Sequence, residues 1–429
     1  MSKTVLIGLD GVPHPFISNA IEKGIMKNLG RILSDGMLYK IKSSIPEISS
    51  VAWSSLITGK NPGEHGIYGF TELALNSYTM TFPNFNNIKS APFWLNEDFS
   101  IRKDKRFAII NTPFTFPARE INGIHISGFV ALDLKDAVFP ESLFVKVDEM
   151  KYKIDVDSYL AHESINPFLR DLDNTLTKRI EASREIFHNE EWDVFMLVFT
   201  GTDRLSHFLW DAYEDEGHKH HSDFLNHFEK IDQYIGEVFG ELGEDDTIAF
   251  VSDHGFEALK FEVFINRYLR EWGYLKLRKE PARSYNDIDT ETKAFAMDPG
   301  RIYLNYKGRY PRGSVTEDDA AEIIESLREK FTSLRIDGKK VIEEIFLGDD
   351  VYQGECKSIG PDLVLLGASG FDLKGNVKSQ DFYVKGIFNG KHTYYDAFFG
   401  VRFPDSYKDN PQRYPEVESI KDIRKVLEL

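Results

Sequence analysis

A chain of 429 residues with 41% hydrophobic and 28% charged side chains can bury a large core and has the composition of an ordinary globular protein. The 69 Asp and Glu against 52 Lys and Arg leave a net charge of -17, which repels a nucleic-acid backbone and argues against a nucleic-acid binding module. The single cysteine, Cys356, excludes an intrachain disulfide, and no apolar run approaches the roughly 20 residues that span a bilayer. Small anionic substrates stay open, because divalent cations invert the local potential even on an acidic protein.

The first element is Val5-Leu6-Ile7-Gly8-Leu9, an unbroken apolar run ended by Asp10-Gly11, the pattern of a strand buried on both faces. No basic region or cleavage signal precedes it, so the expected address is the cytoplasm. Ile21, Ile25, Leu29 and Ile32 at helical spacing predict one helix from about Ser18 to Ser34, with Gly36 as a stop signal. Phe107-Ala108-Ile109-Ile110 and Val194 to Phe199 read as further buried strands, the second preceded by a helical stretch from about Leu176 to Phe187. Phe224, Leu225, Phe228, Ile231, Ile235 and Val238 form an amphipathic helical face, and Thr247 to Val251 returns as a strand ending in Ser252-Asp253-His254-Gly255. This alternation predicts an α/β fold: a doubly wound, mostly parallel sheet with helices on both faces.

After Gly255 the pattern changes. A helix is expected to begin at Phe264-Ile265-Asn266, and the stretch from Lys276 to Thr292 is charged and aperiodic. Arg301 to Asn305 and Pro361 to Leu366 read as strands, and Thr316 as the cap of a helix reaching about Phe331. The expected organisation is a core of residues 1–260 and 385–429 with a cap module, 261–384, inserted into it.

Chemistry-bearing side chains gather at strand ends, where open α/β sheets place their sites. Asp203-x-x-x-His207 follows a strand and, on a helix, projects both side chains from one face. Asp253-His254 occupies a strand end, where adjacent side chains diverge toward two ions or, with a twist of the loop, toward one. Ser49 and Ser50 stand at the start of a helix, a position that suits a capping hydroxyl and equally a nucleophile beside phosphate-binding N–H groups. His218, His220 and His221, with acidic neighbours, read as a solvated loop, and His14 and His65 have no local carboxylate partner.

Five ordered elements carry a resemblance: Asp10-Gly11; Pro46 to Trp53 leading to Thr58-Gly59-x-x-Pro62-x-x-His65-Gly66-Ile67; Asp203-x-x-x-His207; Ser252-Asp253-His254-Gly255; and Gly390-Lys391-His392. Together they resemble the alkaline phosphatase superfamily, and within it the type I phosphodiesterase and nucleotide pyrophosphatase branch. The resemblance implies an alkaline phosphatase-like core and two divalent ions, zinc in the usual case with manganese or iron as substitutes. It implies that Asp203, His207 and His392 hold one ion and that Asp10, Asp253 and His254 hold the other. It further implies that Ser49, picked over Ser50 by its spacing to Thr58-Gly59, attacks phosphorus to give a serine ester that water then hydrolyses.

The implied activity is hydrolysis of a small phosphate ester or nucleotide. One departure stands out: where nucleotide pyrophosphatases place an Asn to hold a phosphoryl oxygen, this chain has Phe70, leaving Thr71, Lys391 or a backbone N–H as substitutes. Arg204 is the candidate for an arginine that clamps a monoester, and the lack of a plain one favours diesters. A sulfatase is disfavoured, because Ser49-Ser50-Val51-Ala52-Trp53 lacks the Pro and Arg of the sulfatase motif. The alternatives are a metal-dependent phosphomutase of the phosphoglycerate mutase kind, whose insertion lies elsewhere, a phosphomonoesterase, and a silent metal-binding relative.

Overall fold

The computed structural model describes residues 2–404 and 416–429. Its centre is an eight-stranded sheet. In chain order the strands are β1 (Thr4–Leu9), β2 (Met37–Ile41), β3 (Phe107–Thr112), β4 (Gly123–Ser127), β5 (Val138–Phe139), β6 (Val194–Phe199), β7 (Thr247–Val251) and, after a small ribbon of β8 (Gly255–Ala258) and β9 (Gly390–Thr393), β10 (Ala397–Arg402). The spatial order is β2-β10-β7-β1-β6-β3-β4-β5. β7, β1, β6, β3 and β4 run parallel, with antiparallel pairings at both edges. The expected mostly parallel α/β fold is what forms.

Side chains alternate across the sheet, so each central strand feeds two cores. Val5, Ile7 and Leu9 face one core with Phe195, Leu197 and Phe250. Helices α1 (His14–Glu22), α2 (Lys27–Leu33), α4 (Ile165–Asn189) and α6 (His221–Gly240) pack on that side. Leu6, Met196 and Val251 face the other core with Trp53 and Leu56 of α3 (Ser49–Thr58). Gly8 makes that approach possible: a Cβ there would lie 2.5 Å from the Trp53 ring. Trp53 is fully buried, and truncating it to Ala costs about 3–5 kcal/mol by the usual cavity argument.

The sequence predicts one helix over 18–34, but two form. Lys23 and Gly24 close α1 with N–H bonds to Asn19 and Ile21, and Gly24 takes a left-handed φ of 74°, so the axis restarts at Lys27. Periodicity survived the break because Ile21 and Ile25 still face the same core.

A third core involves Tyr78 and residues from 263 to 377. Ala294–Met297, Arg301–Leu304, Leu363–Gly367 and Ile342–Leu347 form a four-stranded sheet there. Helix Glu317–Ser333 starts at Thr316, which with Asp319 makes a reciprocal capping box. A second, three-stranded sheet is ordered Phe371–Lys374, Phe261–Phe264, Tyr383–Val384. No helix among the described residues is long and apolar enough to cross a membrane.

Candidate active site at the carboxyl ends of the central strands

Register puts the chemistry at one level. Leu9 pairs with Phe199 and Gly8 with Val251, so β1, β6 and β7 end side by side and the residues that follow converge. Asp10 follows β1, and Gly11 turns the chain with φ 66°. Only glycine suits that turn: a Cβ would lie 3.1 Å from both Asp203 Oδ1 and His254 Cε1. Asp203 and His207 lie on α5 (Gly201–Glu214), which starts just after β6. Asp253 and His254 follow β7, anchored by Ser252, whose Oγ accepts the Val12 N–H at 2.8 Å, and by Ser43, whose Oγ donates to the Asp253 carbonyl at 2.6 Å. His392 arrives on β9, which pairs antiparallel with β8 opposite Phe256.

All seven residues singled out in the sequence, Asp10, Ser49, Asp203, His207, Asp253, His254 and His392, meet in this one place. Two groups present atoms close enough to share a cation: Asp203, His207 and His392, and Asp10, Asp203 and His254. Asp253 stands beside the second group. Its Oδ1 accepts the Gly11 N–H at 3.0 Å, and its Oδ2 lies 3.4 Å from His254 Nε2.

Ser49 is not a helix cap. Ile48 occupies the cap position, and the Ser49 hydroxyl points at the cluster, 3.3 Å from Asp10 Oδ1 and 3.2 Å from His254 Nε2. Ser50, one position along the helix, is fully buried and its hydroxyl makes no hydrogen bond. Asp10 is fixed from its other oxygen by the Trp53 indole N–H at 3.2 Å.

The three imidazoles share one arrangement. Nδ1 of His207 lies 3.2 Å from the Gly390 carbonyl, Nδ1 of His392 3.1 Å from the Glu47 carbonyl, and Nδ1 of His254 3.0 Å from the Gly255 carbonyl. A carbonyl only accepts, so each Nδ1 carries the proton and each Nε2 turns a bare lone pair inward. Those lone pairs crowd together: His207 Nε2 and His392 Nε2 are 3.0 Å apart, and the His254 and His392 rings stack at 3.6 Å. Beside them Asp203 Oδ1 and Asp253 Oδ2 are buried and receive no hydrogen bond.

Electrostatics follow from burial. It pushes the Asp10 carboxyl well above the usual carboxylate range, helped by Asp253 and Asp203, and it carries Asp253 up to about 7. For Asp203 burial acts in the same direction but is outweighed by His207, His392 and Arg204, and the carboxyl is held below its ordinary range. Burial pushes His254 down to about 4 and lowers His207 and His392 against the opposing pull of Asp203, toward the neutral form that a ligand needs. A floor of converging lone pairs and unbonded carboxylate oxygens fits divalent cations, with the backbone carbonyls orienting the histidines.

A cavity of about 310 Å³ opens over this floor. Asp10, Ser49, Asp203, His207 and His392 line its base, and Pro299, Leu365, Phe371 and Lys374 face it from the third core. Phe70 and Phe129 line it too, packed edge to face at 5.4 Å. Thr71 gives its carbonyl to Arg301, and Lys391 pairs with Glu257 at 3.2 Å. The other histidines stand apart: His65 bonds Ser55 at 3.0 Å, and His220 pairs with Asp223 at 2.8 Å. Among the described residues neither belongs to a metal-competent group. Sequence reading missed Glu47, Phe129, Asp155 and Lys374, which lie in turns or short strands with no periodic signal.

The family model for type I phosphodiesterase / nucleotide pyrophosphatase matches residues 4–395. No curated protein sequence matches the chain significantly. Among solved structures, phosphonoacetate hydrolase from Sinorhizobium meliloti 1021 in complex with phosphonoformate is similar over 100% of this chain and 95% of its own, with TM-score 0.66 and 14% identity. An inactive form of murine ectonucleotide pyrophosphatase / phosphodiesterase 5 in complex with AMP covers 100% and 96%, with TM-score 0.55 and 12% identity. The human ectonucleotide pyrophosphatase / phosphodiesterase 5 covers 100% and 95%, with TM-score 0.55 and 13% identity. At these identities the structural likeness establishes the alkaline phosphatase-like fold, and the match along the sequence establishes the rest: the chain belongs to the type I phosphodiesterase/nucleotide pyrophosphatase family and is a phosphoric ester hydrolase.

Proposed function

We propose that the protein hydrolyses small phosphodiesters in two displacements at phosphorus, with Ser49 as nucleophile. One cation would be held by Asp203, His207 and His392, the second by Asp10, Asp253 and His254. The observation that carries this reading is the inward convergence of three Nε2 atoms, each with its Nδ1 tied to a backbone carbonyl, on buried carboxylate oxygens that receive no hydrogen bond. Without a cation such a cluster is repulsive, and no packing role explains it. When bound, a pair of divalent ions supplies Lewis acidity to the attacking, leaving and non-bridging oxygens.

The chain's own residues do the positioning. Ser49 Oγ has Asp10 Oδ1 and His254 Nε2 as neighbours, and it sits at the first turn of α3. In the first displacement the Ser49 Oγ–P bond forms and one ester P–O bond breaks, and the leaving alkoxide takes up a proton to balance the one that Ser49 gives up. In the second, water cleaves the serine ester, restoring Ser49 and releasing a phosphomonoester.

Preference for diesters rests on the cations of the wall. Arg204 pairs with Asp155 at 2.9 Å and Asp203 at 3.0 Å, Lys374 with Asp372 at 2.6 Å, and Lys391 with Glu257 at 3.2 Å. Each is already neutralised by a carboxylate, so none is left over for the second charge of a monoester. Glu47 adds a further acidic group to the lining. The test is the rate ratio of bis-p-nitrophenyl phosphate to p-nitrophenyl phosphate with chelator-stripped protein reloaded with zinc. A ratio well above one is expected, and a ratio well below one overturns the diester reading.

A further inference from the structure

We infer that Arg204, held by Asp155, is a positioning residue that decides which oxygen of Asp203 is offered to metal. This rests on the two-cation reading above, but its geometry is independent of any substrate. Arg204 follows Asp203 directly on α5, and its Nη1 donates to Asp203 Oδ2 at 3.0 Å. Its Nε and Nη2 both donate to one oxygen of Asp155, Oδ2, at 3.1 and 2.9 Å. The guanidinium face lies against the Phe129 ring, 4.2 Å from Cζ to the centroid, and Phe70 braces Phe129 from its edge.

Asp155 is fixed in turn. Its second oxygen accepts the Thr200 hydroxyl at 3.1 Å, and that hydroxyl accepts from Arg179 Nη1 at 3.1 Å. Arg179, on α4, is 2% exposed and also donates to the Ile154 carbonyl beside Asp155. Thr200 precedes α5 yet does not cap it, because its hydroxyl is used here. The chain Arg179, Thr200, Asp155, Arg204 thus ends on a single atom, Asp203 Oδ2.

The consequence is a division of labour within one carboxylate. Oδ2 is taken by a planar, permanently charged donor, while Oδ1 stays without a hydrogen bond, 3.2 Å from His392 Nε2 and 3.5 Å from His207 Nε2. An ion pair serving stability alone would be complete with Asp155. The reach to Asp203 orders the carboxylate before metal arrives, as partners behind a metal ligand do, where their loss typically costs 10–100-fold in affinity. Lysine, a point charge on a flexible stem, cannot bond both carboxylates in this geometry.

The experiment measures zinc affinity of the full-length protein by competition with a chromogenic chelator, for the wild type, Arg204→Lys, Asp155→Asn and Thr200→Val. Each variant is checked for folding by circular dichroism. Expected are affinities 10–100-fold weaker for Arg204→Lys and Asp155→Asn and a few-fold weaker for Thr200→Val. Diester turnover should be regained at saturating zinc with KM within about twofold. Thr200→Val, nearly isosteric, decides the matter if the charge variants do not fold. Unchanged zinc affinity in the folded variants overturns the inference, and a raised KM with unchanged affinity places Arg204 on the substrate instead. Wild-type protein that binds zinc but cleaves no diester sinks the proposed function and leaves this inference standing; wild-type protein that binds no divalent ion sinks both.

Discussion

The floor and the wall of the cavity are built on opposite principles. On the floor, Asp203 Oδ1 and Asp253 Oδ2 are left without hydrogen-bond donors beside the Nε2 atoms of three histidines, at the ends of strands whose registers are fixed by buried ladders. On the wall, Lys374 and Asp372 satisfy each other within a short sheet of the third core, among Phe371, Leu373 and Pro299. Unsatisfied groups held rigidly are poised for a cation, whereas satisfied groups among apolar ones shape what fits. Chemistry is therefore assigned to the floor and selectivity to the wall.

That contrast is broken most directly at Ser49. Ser49→Ala is expected to lower diester turnover by roughly a thousandfold or more with zinc affinity nearly unchanged, read from steady-state rates beside a chelator competition. Near-wild-type turnover in a zinc-loaded Ser49→Ala sample would remove the nucleophile assignment. His392→Ala, the next largest, should weaken zinc binding by about two orders of magnitude and reduce turnover with it, because one lone pair of the floor is lost. Equal zinc affinity in variant and wild type would show that His392 is no ligand.

Acidity sharpens the same contrast. In the metal-free fold Asp253 keeps its proton up to about pH 7, while the unfolded chain releases it near the ordinary value of 3.8. The folded state thus binds more protons between those values, and Asp253 makes metal-free stability fall as pH rises through that window. Zinc needs both Asp10 and Asp253 ionised, and burial raises both, so its affinity should climb as pH rises through this range. His254, pushed down to about 4, does not compete over most of that range. Calorimetric midpoints with and without zinc between pH 5 and 8 should separate progressively; a constant gap would exclude Asp253 from the ligand set.

The smallest effect belongs to the wall. Lys374→Met leaves Asp372 without its partner at the cavity surface, adding negative charge where an anionic substrate enters. KM for a diester should rise roughly three- to tenfold with zinc affinity unchanged. A change in zinc affinity instead would mean that floor and wall are not separable.

The two regions also differed in how legible they were in the sequence. Val194 to Phe199 and Thr247 to Val251 form the strands expected of them, because a short apolar run bounded by turn residues has one favourable fate in a buried parallel sheet. The side chains just beyond such runs are then placed by register, and Asp10, Asp203 and Asp253 could be named in advance. Ser49 against Ser50 was a matter of spacing in the sequence; helix geometry separates them, since neighbours on α3 point about 100° apart. Asp155 gave no signal, being a loop residue whose partners, Thr200 and Arg204, lie far along the chain. Lys374 and Phe371 were equally silent, because nothing local says that a short strand from one core will overhang another.

His392 reaches the floor only when β9 pairs with β8, and its Nδ1 is bonded to a carbonyl 345 residues earlier in the chain. Close behind it, β10 fills the place between β2 and β7 in the central sheet. Residues on β1 and α3 thus wait for β9 before the cluster closes. Until β9 and β10 dock, the cluster around Ser49 lacks His392 and the sheet has a gap between β2 and β7, so the site is a product of the fold's longest-range contacts.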